Sequence, residues 1–260
     1  MTSTTEIAAD NELAYPSDGL LRRSTVLLYG VLSYSLGMAG LMWFILAMGG
    51  LAPSALLQLE NASVATSLAV NTGLILLFGL QHSIMARNSF KQWLYKHIPQ
   101  AAERSTYVLL SGLLLMLSIV CWQSLPGDVW VVENTAGKIA LWSLYGLGWA
   151  YLVLATFVTN HFELMGLRQM YLYFRGRNYS RLPFVNKYMY RYSRHPMMLG
   201  LLVGMWSVPV MSISQFIMAM LMSAYVAIGV LFEERDLVRQ FGETYRNYRN
   251  EIATLIPRLF

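Results

Sequence analysis

Charge is scarce in this chain. Only 13% of its 260 residues are Asp, Glu, Lys or Arg, about half the share of an ordinary soluble domain, while 56% are apolar. Water is therefore not the main solvent of the fold. Cysteine is almost missing as well. The single thiol, Cys121, excludes an intrachain disulfide framework or a cysteine metal cluster, and its apolar surroundings read as those of a buried structural residue. The first 20 residues hold four acids and no Lys or Arg, so they lack the basic start of a secretory signal peptide. Internal repeats and low-complexity linkers are absent too, so residues 22–260 read as one domain after a polar tail, 1–21.

What the chain has instead is long apolar runs. Thr25–Met48, Val64–Leu80, Tyr107–Trp122 and Ile139–Val158 are each long enough to cross or nearly cross about 30 Å of hydrocarbon at ~1.5 Å per residue. The first follows Arg22 and Arg23 and is too long for a signal h-region, so it reads as a retained anchor. A fifth run, Met197–Phe232, carries no charge and as one helix would overshoot the bilayer, at ~54 Å. Pro209, Ser212, Ser214 and Gln215 near its middle predict a tight helical hairpin, each arm spanning or nearly spanning. The expected fold is all-α, a polytopic integral membrane protein of about six transmembrane segments. With Arg22 and Arg23 inside, 18 of the 19 Lys and Arg fall on the cytoplasmic side and only Lys138 falls outside. Both termini are then cytoplasmic. The formal charge of +5 becomes a topology signal with some attraction for anionic lipid, and gives no reason to invoke nucleic acid.

Four polar clusters end the spans on that inner side. Gln81-His82-Ser83 reads either as an interfacial cap or as the polar wall of a cavity, because a His and a Gln at membrane depth are costly unless paired. Asn160-His161-Phe162-Glu163, with Arg168 and Gln169 soon after, exceeds what a helix end needs for its last carbonyls and reads as functional. In Tyr190-Arg191-Tyr192-Ser193-Arg194-His195-Pro196, Pro196 suits a first helical turn. That turn would set Arg194 and His195 beside free N–H groups, a seat for a carboxylate or phosphate. Gly200 and Gly204 let a neighbouring helix or a ligand come close. Glu233-Glu234-Arg235-Asp236 returns beside His195 once the hairpin closes, and acids there require a continuing helix or a facing cation. Anion seat and acid pair would flank one pocket suited to a zwitterion.

Arg194-His195-Pro196, Gly200 and Glu233-Glu234 resemble the cofactor region of isoprenylcysteine carboxyl methyltransferase-like membrane enzymes, and Phe241-Gly242-Glu243-Thr244-Tyr245 with Tyr248 and Ile256-Pro257 looks like that superfamily's ending. Within that superfamily the stretches Gln81 to Arg87, Asn160 to Gln169 and Arg194 to Gly200 look like those of bacterial methanethiol S-methyltransferases. Met197-Met198 stands where the prenylcysteine enzymes often carry an aromatic after Pro, and a denitrification-associated membrane family shares the Gln81 stretch. The resemblance implies S-adenosylmethionine as methyl donor and a small volatile thiol as acceptor, in a bacterial inner membrane, with no obligatory protein partner. It implies a cofactor set of Tyr190, Arg194, His195, Pro196, Leu199, Gly200, Glu233 and Glu234, and no metal. His161, then His82, are the expected bases, with Asn160, Arg168 and Gln169 orienting them. Three competing readings stay open. Haem or metal could be ligated by His82, His161 and His195; a nicotinamide-dependent reductase is distantly suggested, although no glycine-rich dinucleotide loop is present; and the role could be purely structural.

Overall fold

The computed structural model describes residues 12, 13, 15, 18–180 and 182–256. Most of the polar tail 1–21, Arg181 and the Pro257 of the superfamily-like ending lie outside the described residues. In chain order the helices are α1 (Leu20–Met48), α2 (Val64–Met85), α3 (Asn88–Leu94), α4 (Glu103–Val120), α5 (Thr135–Val158), α6 (His161–Leu164), α7 (Leu167–Phe174), α8 (Pro196–Trp206), α9 (Ile213–Phe241) and α10 (Glu243–Glu251). The short strands are β1 (Glu12–Leu13), β2 (Asp128–Val131), β3 (Tyr179–Ser180) and β4 (Val210–Ser212). Among the described residues α1, α2, α4, α5 and α9 are long and apolar enough to cross a membrane, and the chain is an all-α polytopic membrane protein.

Local chemistry starts these helices where the apolar runs begin. Ser63 accepts the Thr66 N–H at 3.1 Å, Asn134 accepts that of Gly137 at 2.7 Å, and Ser212 forms a reciprocal capping box with Gln215. Leu28, Leu76, Leu147, Leu154 and Leu231 are exposed, as a lipid-facing surface requires. Inward, glycines bring backbones together. A Cβ on Gly40 would stand 2.6 Å from the Gly112 carbonyl oxygen, joining α1 to α4, and one on Gly148 would stand 2.5 Å from the Gly204 nitrogen, joining α5 to α8.

The hairpin differs from the sequence expectation. Its first arm is helical for 11 residues, about 16 Å, and the chain then runs extended into β4. β4 pairs antiparallel with β2, which lies between α4 and α5 at the far end of the bundle, so the extended stretch completes the fifth crossing in chain order. Non-helical backbone at that depth needs partners inside the protein. Trp130 Nε1 donates to Val208 O at 2.9 Å, the Val132 N–H donates to Pro209 O at 2.9 Å, and Val208 and Met211 are buried. The second arm does not stop at Phe232. At 29 residues α9 is about 43 Å long and carries Glu233, Glu234 and Asp236 out of the apolar zone on its last turns.

Candidate active site at the basic end of the bundle

A cavity of about 980 Å³ opens at the end of the bundle that holds the start of α8 and the last turns of α9. Glu163 and Gln169 from the α6–α7 region, Tyr190, His195, Met197 and Met198 around the start of α8, and Glu233 from α9 stand on its wall. Pro196 opens α8, where its missing N–H costs nothing, and so fixes His195 at the helix mouth.

The two acids of α9 face different ways. Glu234 is inward: its Oε1 accepts Arg194 Nε at 2.7 Å and Tyr245 Oη at 3.1 Å, and lies 3.0 Å from His195 Nε2. Glu233 looks into the cavity with a side chain 44% exposed, its Oε2 3.4 Å from His195 Nδ1. Burial pushes the His195 imidazole down, but hydrogen bonds and charge from Glu233 and Glu234 outweigh it, and its pKa lies above the ordinary value.

Arg194 departs from the anion-seat expectation. Beyond Glu234 its guanidinium donates to the Arg249 and Ile252 carbonyls and to Thr254 Oγ1. The Arg194 and His195 N–H groups also go to Ala253 O and Thr254 O. These donors go to the C-terminal segment, while Arg194 also stands on the cavity wall and braces His195 through Glu234. Gly200 faces the Gly148 carbonyl and Leu152 nitrogen, where a Cβ would come within 2.6 Å, so of the two possibilities a helix takes this surface. Pro196 and Leu199 sit in the same helix off the cavity wall.

Tyr190 and Gln169 supply groups in want of partners. Tyr190 Oη is buried without a hydrogen bond, and burial pushes the phenol up to about 12. Thr159 approaches it with its own hydrogen directed to the Ala155 and Thr156 carbonyls, so toward the phenol its oxygen can only accept. Gln169 Oε1 is likewise unpartnered, while its Nε2 donates to Glu163 Oε1 at 3.0 Å. Glu163 also takes Arg168 NH1 at 2.8 Å and Tyr179 Oη at 2.5 Å. Asn160, in a left-handed conformation with φ 81°, caps α6 through the Glu163 N–H.

Neither candidate base stands on the cavity wall. His161 is buried, with Nε2 3.0 Å from Tyr34 Oη and Nδ1 2.8 Å from Thr156 Oγ1, two residues beyond the wall residue Thr159. His82 is clasped between α2, α4 and α9: Nδ1 lies 3.2 Å from Ser111 Oγ, Nε2 lies 2.5 Å from Tyr107 Oη, and Tyr225 packs edge-on. That arrangement makes the Gln81-His82-Ser83 cluster a helix-packing clasp. Among the described residues no three His, Cys, Asp or Glu side chains are disposed to hold a metal ion, so the three-histidine ligand set lacks a geometry. Sequence reasoning gave no role to Tyr34, Tyr245 or Thr254. The signal for Tyr34 is a polar Ser33-Tyr34-Ser35 step inside an otherwise apolar span.

The chain is similar to several characterised proteins. The profile of the NnrU protein family matches residues 71–241. The methanethiol S-methyltransferase of Mycobacterium tuberculosis is 39% identical over 91% of this chain and 98% of its own length. That of Crocosphaera subtropica is 39% identical over 93% and 95%. Nurim of Sus scrofa is 29% identical over 70% of the chain and 72% of its own length. No solved structure matches. A cavity walled by an acid, a histidine and a buried phenol thus sits in a chain that belongs to the NnrU family and to the methanethiol S-methyltransferases.

Proposed function

We propose that the protein transfers a methyl group from S-adenosylmethionine to methanethiol, releasing dimethyl sulfide, at a site open to the cytoplasm of a bacterial inner membrane. The observation that carries this is the Glu233–His195 wall of a cavity of about 980 Å³, in a chain whose relatives bear that enzyme's name. The cytoplasmic assignment is supported by the basic residues, 18 of 19 on one side, with both termini there.

The residues present fit the methyl donor, a sulfonium with an amino-acid end and a ribose. Glu233 is an anion facing the cavity and suits the ammonium group or ribose hydroxyls. Tyr190 Oη and Gln169 Oε1 are buried polar atoms waiting for partners. Arg194, itself on the wall, and Glu234 behind it hold His195 in place. When bound, the donor supplies an electrophilic methyl group, and the protein's task is alignment in a dry space. Methanethiol is mostly protonated at neutral pH, so a base must favour the thiolate. His161 takes that role here, a buried imidazole held by Tyr34 and Thr156.

Incubation of purified protein with methanethiol and S-adenosylmethionine, with dimethyl sulfide read by gas chromatography, tests the reading. Product from wild type and almost none from His161→Ala is expected. No product from wild type under conditions where the fold is intact would sink it.

A further inference from the structure

His161 is gripped by hydroxyls from two helices, and their hydrogens determine its tautomer. Thr156 Oγ1 has one hydrogen, which it donates to the Val153 carbonyl at 2.6 Å. Toward His161 Nδ1, 2.8 Å away, the same oxygen can therefore only accept, so Nδ1 carries the ring hydrogen. Nε2 is left with the lone pair, and Tyr34 on α1 donates its phenol hydrogen to it across 3.0 Å. Phe157 stacks on the ring at 4.5 Å between centroids and 11° between planes, while Tyr34 and Phe162 meet it edge-on. Among the described residues Tyr34 is the titratable side chain in contact with the ring. Glu163 and Arg168, the charges just beyond it, are paired with each other at 2.8 Å.

We propose that Tyr34 and Thr156 are positioning residues for His161: together they fix its tautomer, leave Nε2 as the nitrogen that accepts the thiol proton, and set its basicity from opposite sides. This rests on His161 being the base of the proposed methyl transfer. In that step the Tyr34 hydroxyl turns away from Nε2, the S–H bond breaks and its proton passes to the lone pair so freed. The freed sulfur pair forms the new C–S bond as the methyl group's old C–S bond breaks, and the proton later leaves to water.

The two neighbours act with opposite sign. Protonated imidazole has no lone pair on Nε2 to accept the Tyr34 hydrogen, so that bond favours the neutral ring, and losing it raises the ring's pKa. The Nδ1–H bond to Thr156 survives protonation and strengthens with the added charge, so losing it lowers the pKa. A base must be neutral to act, and the acid limb of kcat/KM follows its pKa.

Nitrogen-15 NMR of histidine-labelled full-length protein in detergent, without substrates, reads the tautomer directly. A protonated Nδ1 on His161 is expected, and a protonated Nε2 overturns the proposal whatever the assays give. The pH profile of kcat/KM for methanethiol is then compared in wild type, Tyr34→Phe and Thr156→Val, with S-adenosylhomocysteine affinity measured by calorimetry. The acid limb is expected to move to higher pH in Tyr34→Phe and to lower pH in Thr156→Val, each by about half a unit or more, with affinity within about twofold. Limbs that stay in place, or that move the same way, reduce both residues to packing and overturn the inference. A wild type that makes no dimethyl sulfide refutes the proposed function instead, and leaves the NMR result standing by itself.

Discussion

Arg194 and His195 share one oxygen: Glu234 Oε1 lies 2.7 Å from Arg194 Nε and 3.0 Å from His195 Nε2. The neighbouring acid, Glu233, meets the other nitrogen of the same imidazole from the cavity side at 3.4 Å. His195 is thus held between an acid that belongs to the protein's interior and one that belongs to the ligand space. Acids one residue apart on a helix point about 100° apart, which lets α9 serve both sides at once.

That division predicts different consequences for the two acids. Replacing Glu234 strands Arg194, whose side chain is 9% exposed, without its anion, and breaking a buried pair costs about 3 kcal/mol. Glu234→Gln should lower the apparent melting temperature by roughly 6–12 °C for a chain of this size. Glu233→Gln should leave melting within about 2 °C but weaken S-adenosylhomocysteine binding about tenfold, the scale of one lost charge-assisted hydrogen bond. Scanning fluorimetry and calorimetry on the two variants decide it, and a reversed pattern would show that the acids have been assigned the wrong way round.

Helix packing predicts a second contrast. Gly200→Ala puts a methyl group 2.6 Å from backbone atoms of α5, which cannot swing aside as a side chain can. Overpacking of this kind costs about 1–3 kcal/mol, so melting should fall by several degrees. Gly146→Ala, where no atom lies within 4 Å of the added carbon, should be neutral or slightly stabilising. Equal effects at both sites would mean that the α5–α8 contact is looser than the glycines imply.

Much of this architecture is legible in the residues. The four long apolar runs, the turn near Pro209 and Ser212, and the return of Glu233 and Glu234 to His195 all follow from run length and charge. The extended half of the fifth crossing is not legible, because its stability comes from Trp130 and Val132 some 78 positions earlier, contacts no local pattern encodes. Arg194 escapes local reading for the same reason. A helix mouth with an arginine looks like an anion seat until the carbonyls of Arg249 and Ile252 arrive to claim its donors. His82 is visible as a costly polar group at membrane depth and His161 as part of a cluster larger than a helix end needs, but whether such a group faces a cavity or a hydroxyl on another helix depends on which faces meet.

His195 should leave a mark on pH dependence. Its folded pKa lies above the ordinary imidazole value because Glu233 and Glu234 outweigh burial. The stabilisation it brings is therefore fully present below the unfolded pKa of about 6.5 and is lost as pH rises through the raised folded value. Wild type should lose melting temperature across that window relative to His195→Gln, which has no such proton to release. Parallel curves for the two proteins would mean that the imidazole is neutral in the fold and that Arg194 and Tyr245 hold Glu234 without its charge.

Orientation is the last point to test, and the protein offers a clean background for it because Cys121 is its only cysteine. With Cys121 replaced by Ser, single cysteines at Glu133, on the loop beside Lys138, and at Glu251, at the end of α10, probe opposite ends of the bundle. Eighteen of the 19 basic residues favour the Glu251 end inside. In intact cells stripped of their outer barrier, a membrane-impermeant maleimide should label the cysteine at 133 and spare the one at 251, and inside-out vesicles should reverse the pattern. The opposite labelling would place the cavity outside the cell, where S-adenosylmethionine is not made, and the proposed reaction would lose its methyl donor along with its topology.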